Sequence, residues 1–269
     1  MSAARGLLLA APKSGSGKTV LTLGLLRHWT RSGIVAVPFK AGPDYIDAAY
    51  HSAAAGQACI NLDSWAMRGR SLDASAAALA QGAEFVLGEG VMGLFDGAAG
   101  GGGATADLAA HFALPVVLVI DVRGQGASVA ALAQGFASHR ADVEVAAVIF
   151  NHVASARHEE ILNSALAPTG IAVLGALPRD AALALPTRHL GLVQAGESED
   201  LEAFLNAAAN HVARYVNGEG LRALGRPLRA PHGATPPCLL EPLGQKIAVA
   251  RDMAFAFSYE AVLAGWRQA

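Results

Sequence analysis

Cysteine is scarce in this chain: two residues in 269, Cys59 and Cys238, stand far apart and outside any CxxC pair. Neither a disulfide framework nor a cysteine-built zinc site is therefore indicated. The nine histidines show no HxxxH or HExxH spacing, which leaves no histidine-built metal centre. Charge is sparse as well, with 16% charged residues, a formal net charge of -2 and no run of Lys or Arg. Without a basic excess there is no electrostatic basis for life on a polyanion, so no nucleic-acid partner is expected. Long apolar runs are also missing, since ALPVVLVI at 113–120 is far short of the ~20 residues that span a bilayer. The opening MSAARGLLLAAPKSG resembles a signal peptide only superficially, because a phosphate-loop pattern follows within a few residues and the apolar run reads better as a buried strand. A soluble, cytoplasmic chain with no membrane partner is expected.

What is abundant is apolar residues, at 53%, enough for one large domain or one domain plus a fragment. Short Val, Ile and Leu runs recur: GLLLAAP, IVAVPF, EFVLGEG, PVVLVID, VAAVIFN and IAVLGALP. Continuous rather than alternating, they suit strands covered on both faces of a parallel sheet. Helical patterns are read between and after them at 18–31, 72–81, 105–112, 127–139, 157–167 and 200–216. That alternation predicts a doubly wound, mostly parallel α/β fold. Residues 1–223 form this first domain. The stretch 224–244 holds five of the twelve prolines and no helical period, and is read as a linker. Beyond it, 247–250 reads as a strand followed by a helix, the start of a further α/β domain at 245–269.

The segment APKSGSGKT lies between the first strand and the first helix. Its Lys13, Ser14, Gly15, Ser16, Gly17, Lys18 and Thr19 form a phosphate loop of the P-loop NTPase kind, with Pro12 in place of the usual first glycine. Backbone N–H groups close around phosphate oxygens, Lys18 neutralises the β and γ phosphates, and the Thr19 hydroxyl reaches Mg²⁺. Lys13 sits where the deviant loop of the MinD class carries a signature lysine, and an exposed lysine of no special role is the other reading.

Carboxylates follow at strand ends, where open α/β sheets bind ligands. Glu89 in GEGVMGLFDG closes one apolar run and Asp96 lies beyond its glycine turn. A buried glutamate needs a partner, and Mg²⁺ would be one. Asp121 competes for the same role and is ranked second, because glycines flank Glu89 and permit close approach of backbone to ligand. FKAGPDYIDAAYH adds Lys40, Asp44, Tyr45 and Asp47 after another run. Thr19 with two carboxylates can complete the water-rich shell that Mg²⁺ prefers. His51 is read as structural, and Asn151 could be a helix cap.

The strings APKSGSGKT, FKAGPDYID, EGVMGLFDG, NHV, GALPRD and RHLGLV occur in the order found in the cobyrinic acid a,c-diamide synthase family, which this chain resembles over nearly its whole length. The resemblance implies an N-terminal domain similar to dethiobiotin synthetase and a C-terminal class I glutamine amidotransferase. It also implies ATP-dependent amidation of the a and c acetates of cobyrinic or hydrogenobyrinic acid through acyl phosphates, in cobalamin biosynthesis. On that resemblance ATP and Mg²⁺ are the cofactors, with Thr19, Asp47 and Glu89 serving the metal. Lys40 would stabilise the transferring phosphoryl group, and Asp44, Tyr45 and Asp96 would orient the corrin acetate or ammonia. Asn151, Pro178 and Arg179 would lie near the adenine. Arg188, His189 and Gly191 match a family string with no role assigned. No nucleophilic cysteine elbow occurs within the chain, and Cys238 in PPCLLEP is not one. Ammonia from a glutaminase domain is thus the expected donor, and a homodimer the expected assembly. The competing readings are a MinD or ParA type dimerising switch ATPase, which Lys13 favours, and a plain dethiobiotin synthetase.

Overall fold

The computed structural model describes residues 4–184, 187–188, 191–192, 194–197, 200–229, 240–252 and 254–269, apart from the side chains of 187, 188, 191 and 192. Seven strands form one parallel sheet: β1 (Arg5–Ala10), β2 (Ala36–Ala41), β3 (Ile60–Leu62), β4 (Phe85–Glu89), β5 (Val116–Asp121), β6 (Val145–Val153) and β7 (Ala172–Pro178). Their order is β3-β2-β4-β1-β5-β6-β7. Two short strands, β8 (Thr187–Arg188) and β9 (Gly191–Leu192), pair antiparallel apart from it. A further short strand, β10 (Arg226–Pro227), joins the start of β1 antiparallel. Helices α1 (Lys18–Arg31), α2 (Tyr45–Ala55), α3 (Gly69–Leu79), α4 (Thr105–Phe112), α5 (Val129–Ser138), α6 (Ala156–Leu166), α7 (Leu201–Tyr215) and α8 (Gly218–Leu224) complete the layers, and α9 (Glu260–Gln268) follows near the end.

The doubly wound fold expected from the apolar runs is what forms. Along β1, Leu7 and Leu9 point into a core with Leu25 and Trp29 of α1 and Val212 of α7, while Leu8 and Ala10 join Leu108 and Phe112 of α4 and Leu162 of α6 on the other face. Two covered faces explain why these strands carry continuous apolar runs. Contact between α1 and α7 depends on Gly24, where a Cβ would come 2.4 Å from Val212 and 2.7 Å from the Ala208 carbonyl oxygen.

Three expectations need correction. No strand forms at 247–250; Val249 is 47% exposed, and no described strand lies alongside to take up its backbone groups. The proline-rich stretch is not wholly a linker, because Arg226–Pro227 is β10, and the Leu228 N–H donates to the Ala4 carbonyl at 3.0 Å. Finally, 45–55, read only as a charged segment, is a helix. Asp44 caps it by accepting from the Asp47 N–H at 3.1 Å, and Gly56, in the left-handed region at φ 62°, ends it.

Candidate active site

The site forms where β1, β2 and β4 end together. The parallel register sets Lys40 of β2 beside Glu89 of β4, and Leu9 of β1 beside Glu89 on its other side. From β1 the chain turns through the phosphate loop into α1, with Gly15 and Gly17 at φ 76° and 90°, a region open to glycine at no steric cost. A Cβ on Gly17 would stand 2.1 Å from Asn151 Nδ2. That amide donates to the Ser16 carbonyl at 2.9 Å, so the end of β6 buttresses the loop. Ser16 is buried, while Lys13, Ser14 and Gly15 are exposed at the tip.

Beneath the loop lies a compact polar cluster. Lys40 Nζ donates to Asp47 Oδ2 at 2.5 Å and to Glu89 Oε1 at 2.7 Å, and stands 4.0 Å from Asp44 Oδ2. Thr19 Oγ1 reaches the same two carboxylate oxygens, Asp47 Oδ2 at 3.2 Å and Glu89 Oε1 at 2.9 Å. Lys40, Asp47, His51 and Glu89 are all buried. Burial would raise the Glu89 carboxyl, but Lys40 and then His51 overcome it and hold the group well below the usual carboxylate range. Asp47 goes the other way: burial, then the neighbouring Glu89 charge, push its carboxyl up against the pull of Lys40. Burial would likewise lower Lys40, yet Glu89 and Asp47 hold its ammonium above the usual lysine value. One cation shared by two buried carboxylates leaves the cluster short of positive charge.

Thr19, Asp47 and Glu89 thus offer a hydroxyl and two carboxylates, an all-oxygen set that fits Mg²⁺, which keeps several waters and takes phosphate oxygens besides. No three His, Cys, Asp or Glu side chains among the described residues form a metal-binding group of their own, so nothing here resembles an all-protein cage. Lys18, buried and with its ammonium lowered mainly by that burial, donates to the Met92 carbonyl at 2.6 Å. Met92 lies on the turn after β4, where Asp96 accepts from the Gly93 N–H at 3.0 Å.

The remaining site residues from the sequence fall into two groups. Asn151 and Pro178 line a small cavity beside Gly17, with Asp180 and His211, which the sequence reading did not single out; Arg179 is exposed and outside that lining. Tyr45 turns its ring to Phe257 and Tyr259, with centroids at 5.4 and 5.5 Å, rather than into the Lys40 cluster. Helical spacing explains this, because Asp44, Asp47 and His51 share one face of α2 while Tyr45, Ala48 and Ser52 share the next. A cavity of about 680 Å³ on that second face is lined by Tyr45, Ser52, Cys59 and Tyr259 and by no phosphate-loop residue. Asp121 is held by Arg123 and by His152 Nδ1 at 3.2 Å, and Glu89 is the carboxylate beside Thr19. Arg188 and Gly191 fall in the β8–β9 pair, and His189 and Cys238 lie outside the described residues.

A phosphate loop opening a helix, with a buried Lys and Glu at adjacent strand ends and a buried Asp on the helix that follows, defines a P-loop nucleotide-binding protein of the doubly wound α/β class. Comparison with known families narrows the class. The chain belongs to the CobQ/CobB/MinD/ParA nucleotide binding domain family, which matches residues 7–193. It is 53% identical over 266 residues to a hydrogenobyrinate a,c-diamide synthase of Brucella anthropi, covering 98% of this chain and 61% of the relative. It is 55% identical over 262 residues to the enzyme of that name from Rhizobium meliloti, covering 97% and 60%. The chain thus spans about three-fifths of the length of these relatives. Among solved structures, chloroplast FtsY from Physcomitrella patens is similar with a TM-score of 0.48 and 16% identity, over 77% of this chain and 66% of that one.

Proposed function

We propose that this chain is the ATP-using part of an amide-forming ligase that converts the a and c acetates of hydrogenobyrinic or cobyrinic acid to amides. The observation that carries the reading is the Lys40–Asp47–Glu89–Thr19 cluster under the phosphate loop, in a chain more than half identical to two hydrogenobyrinate a,c-diamide synthases. A carboxylate is a poor electrophile toward ammonia. Attack of an acetate oxygen on the γ-phosphorus forms a P–O bond as the bond to ADP breaks. Ammonia then attacks the acyl carbon, phosphate leaves with the acetate oxygen, and the nitrogen loses a proton to give the amide.

Most of the help a protein gives such a transfer is position and charge. Lys18 and the loop N–H groups hold the phosphates. Thr19, Asp47 and Glu89 would hold Mg²⁺, which neutralises charge on the β and γ phosphates. Lys40, on the floor of the cluster, faces the γ-phosphoryl group, and Asp44 and Asp96 border the side from which the acetate and ammonia arrive. Tyr45, packed on Phe257 and Tyr259, belongs to the wall behind Asp44. Asn151 and Pro178 flank the base, and Lys13 at the loop tip suits a contact to a second subunit. In organisation, the synthetase domain runs on through β10 and Leu228, the remainder of the stretch to 244 connects, and 245–269 is the opening of a glutaminase domain that supplies ammonia.

The test supplies the chain with MgATP, ammonium and hydrogenobyrinic acid carrying ¹⁸O in its acetates. Corrinoid amides by mass spectrometry, and ¹⁸O appearing in phosphate, are expected. ADP release that responds to lipid vesicles or DNA but not to the corrinoid would overturn the reading in favour of a switch ATPase.

A further inference from the structure

His51, in the second turn of α2, is wholly buried, and the chemistry above gives it no task. Its ring lies between two polar groups: Nε2 is 2.6 Å from Glu89 Oε2, and Nδ1 is 3.7 Å from the sulfur of Cys59, a free thiol just before β3. Buried imidazole nitrogens need partners, and which nitrogen carries the proton is set by what each one faces. Burial pushes the Cys59 thiol well up, so it stays protonated and can donate. A carboxylate can only accept, so Nε2 carries a proton and donates to Glu89, while Nδ1 faces the Cys59 sulfur, whose thiol also lies 3.8 Å from the Ile60 carbonyl oxygen.

A glutamate side chain has three rotatable bonds. Glu89 Oε1 is the atom shared by Thr19 and Lys40, and contacts to that atom alone would let the carboxylate plane swing around it. His51 holds the second oxygen. We propose that His51, backed by Cys59, is a positioning residue that fixes the carboxylate plane of Glu89 and so presents Oε1 to Thr19 and the Mg²⁺-nucleotide. Outer partners of this kind orient ligands at metal sites, and losing one typically weakens metal affinity 10- to 100-fold. The proposal rests on the reading of Glu89 as a metal ligand, but not on which acceptor is amidated.

Reach separates this role from simple core filling. Glutamine can place its amide N–H near the position of Nε2, whereas asparagine stops an atom short. His51→Gln and His51→Asn are compared in titrations of Mg²⁺ against a fluorescent ATP analogue, with Mg²⁺-free nucleotide binding and thermal melting alongside. Expected is a roughly tenfold or greater weakening of Mg²⁺ affinity in His51→Asn, unchanged Mg²⁺-free binding, and recovery of most of the loss in His51→Gln. Equal Mg²⁺ shifts in both variants, a parallel loss of Mg²⁺-free binding, or wild-type binding indifferent to Mg²⁺ would each overturn it. Should His51→Asn not fold, Cys59→Ala carries the test by removing the atom behind the ring: a weaker Mg²⁺ response is expected, and an unaltered titration refutes the positioning of His51 by Cys59. An absence of corrinoid amides with the Mg²⁺ shifts intact would sink the ligase reading and leave this positioning role standing.

Discussion

Lys40→Met is the sharpest probe of the cluster, because it keeps the unbranched apolar stem and removes the ammonium, with its charge and its N–H donors. In the wild type Lys40 Nζ lies 2.5 Å from Asp47 and 2.7 Å from Glu89, and the two carboxylates are 10% and 0% exposed. Removing one partner of a buried pair typically costs about 3–5 kcal/mol, since the other charge is left uncompensated. At roughly 2–4 °C per kcal/mol for a chain of this size, the nucleotide-free variant should melt on the order of 10 °C lower near pH 8. The deficit must also depend on pH. With the ammonium gone, burial and mutual repulsion hold both carboxyls above their unfolded values. The cost is then full above those raised values and fades as pH falls toward the ordinary carboxylate range. The wild type behaves in the opposite sense at Glu89, whose depressed carboxyl adds stability above its unfolded value and loses it only as pH falls through the lower folded one. Urea unfolding of both proteins at several pH values between about 5 and 8 measures the difference. A deficit under about 1 kcal/mol at pH 8, or one constant across the range, would refute the shared-cation account.

Other perturbations follow from the same geometry. Glu89→Gln should weaken Mg²⁺-nucleotide binding at least tenfold, while Asp121→Asn, whose carboxylate is tied to Arg123, should leave it unchanged; calorimetric titration in Mg²⁺ distinguishes them. Gly17→Ala places a methyl 2.1 Å from Asn151 Nδ2 at φ 90°, so nucleotide affinity should fall roughly tenfold or more, and a wild-type affinity would contradict the buttress. Gly88→Ala would set a Cβ 2.1 Å from the Phe39 ring and 2.6 Å from Leu8, and should cost about 1–3 kcal/mol in urea unfolding.

Much of the fold was legible because the rules that set it are local. Six continuous apolar runs became six strands, and the helices at 18–31 and 105–112 were read to the residue. What escaped was short or dependent on distant neighbours. Strand β3 is three residues long, too brief for any period to register. Helix α2 begins as a charged stretch and continues in alanine, giving no apolar stripe, although Asp44 three residues before Asp47 is a cap signal in plain view. Missing that helix also left His51 read as merely structural, because only the i, i+3, i+7 face of α2, shared with Asp44 and Asp47, brings it round to Glu89. The residues at 247–250 show the reverse error, an apolar run with no described strand to pair with. Within the site, Lys40, Asp47, Glu89 and Thr19 were named from the sequence, whereas the turning of Tyr45 toward Phe257 and Tyr259 depends on residues more than 200 positions away.

The pairing of Lys40 with Glu89 across β2 and β4 has a bearing on how such a chain can change over time. Their separation is fixed by ladder hydrogen bonds running back to Ala36 and Phe85, not by the loops that follow. A single residue inserted within either strand would turn one partner to the opposite face of the sheet. Insertions after Gly90 or after α2 would leave the pair where it is. Descendants could therefore remodel the loops around the site one by one and keep the Lys40–Glu89 pair intact, which gives this architecture a floor held by its strands and a rim free to vary.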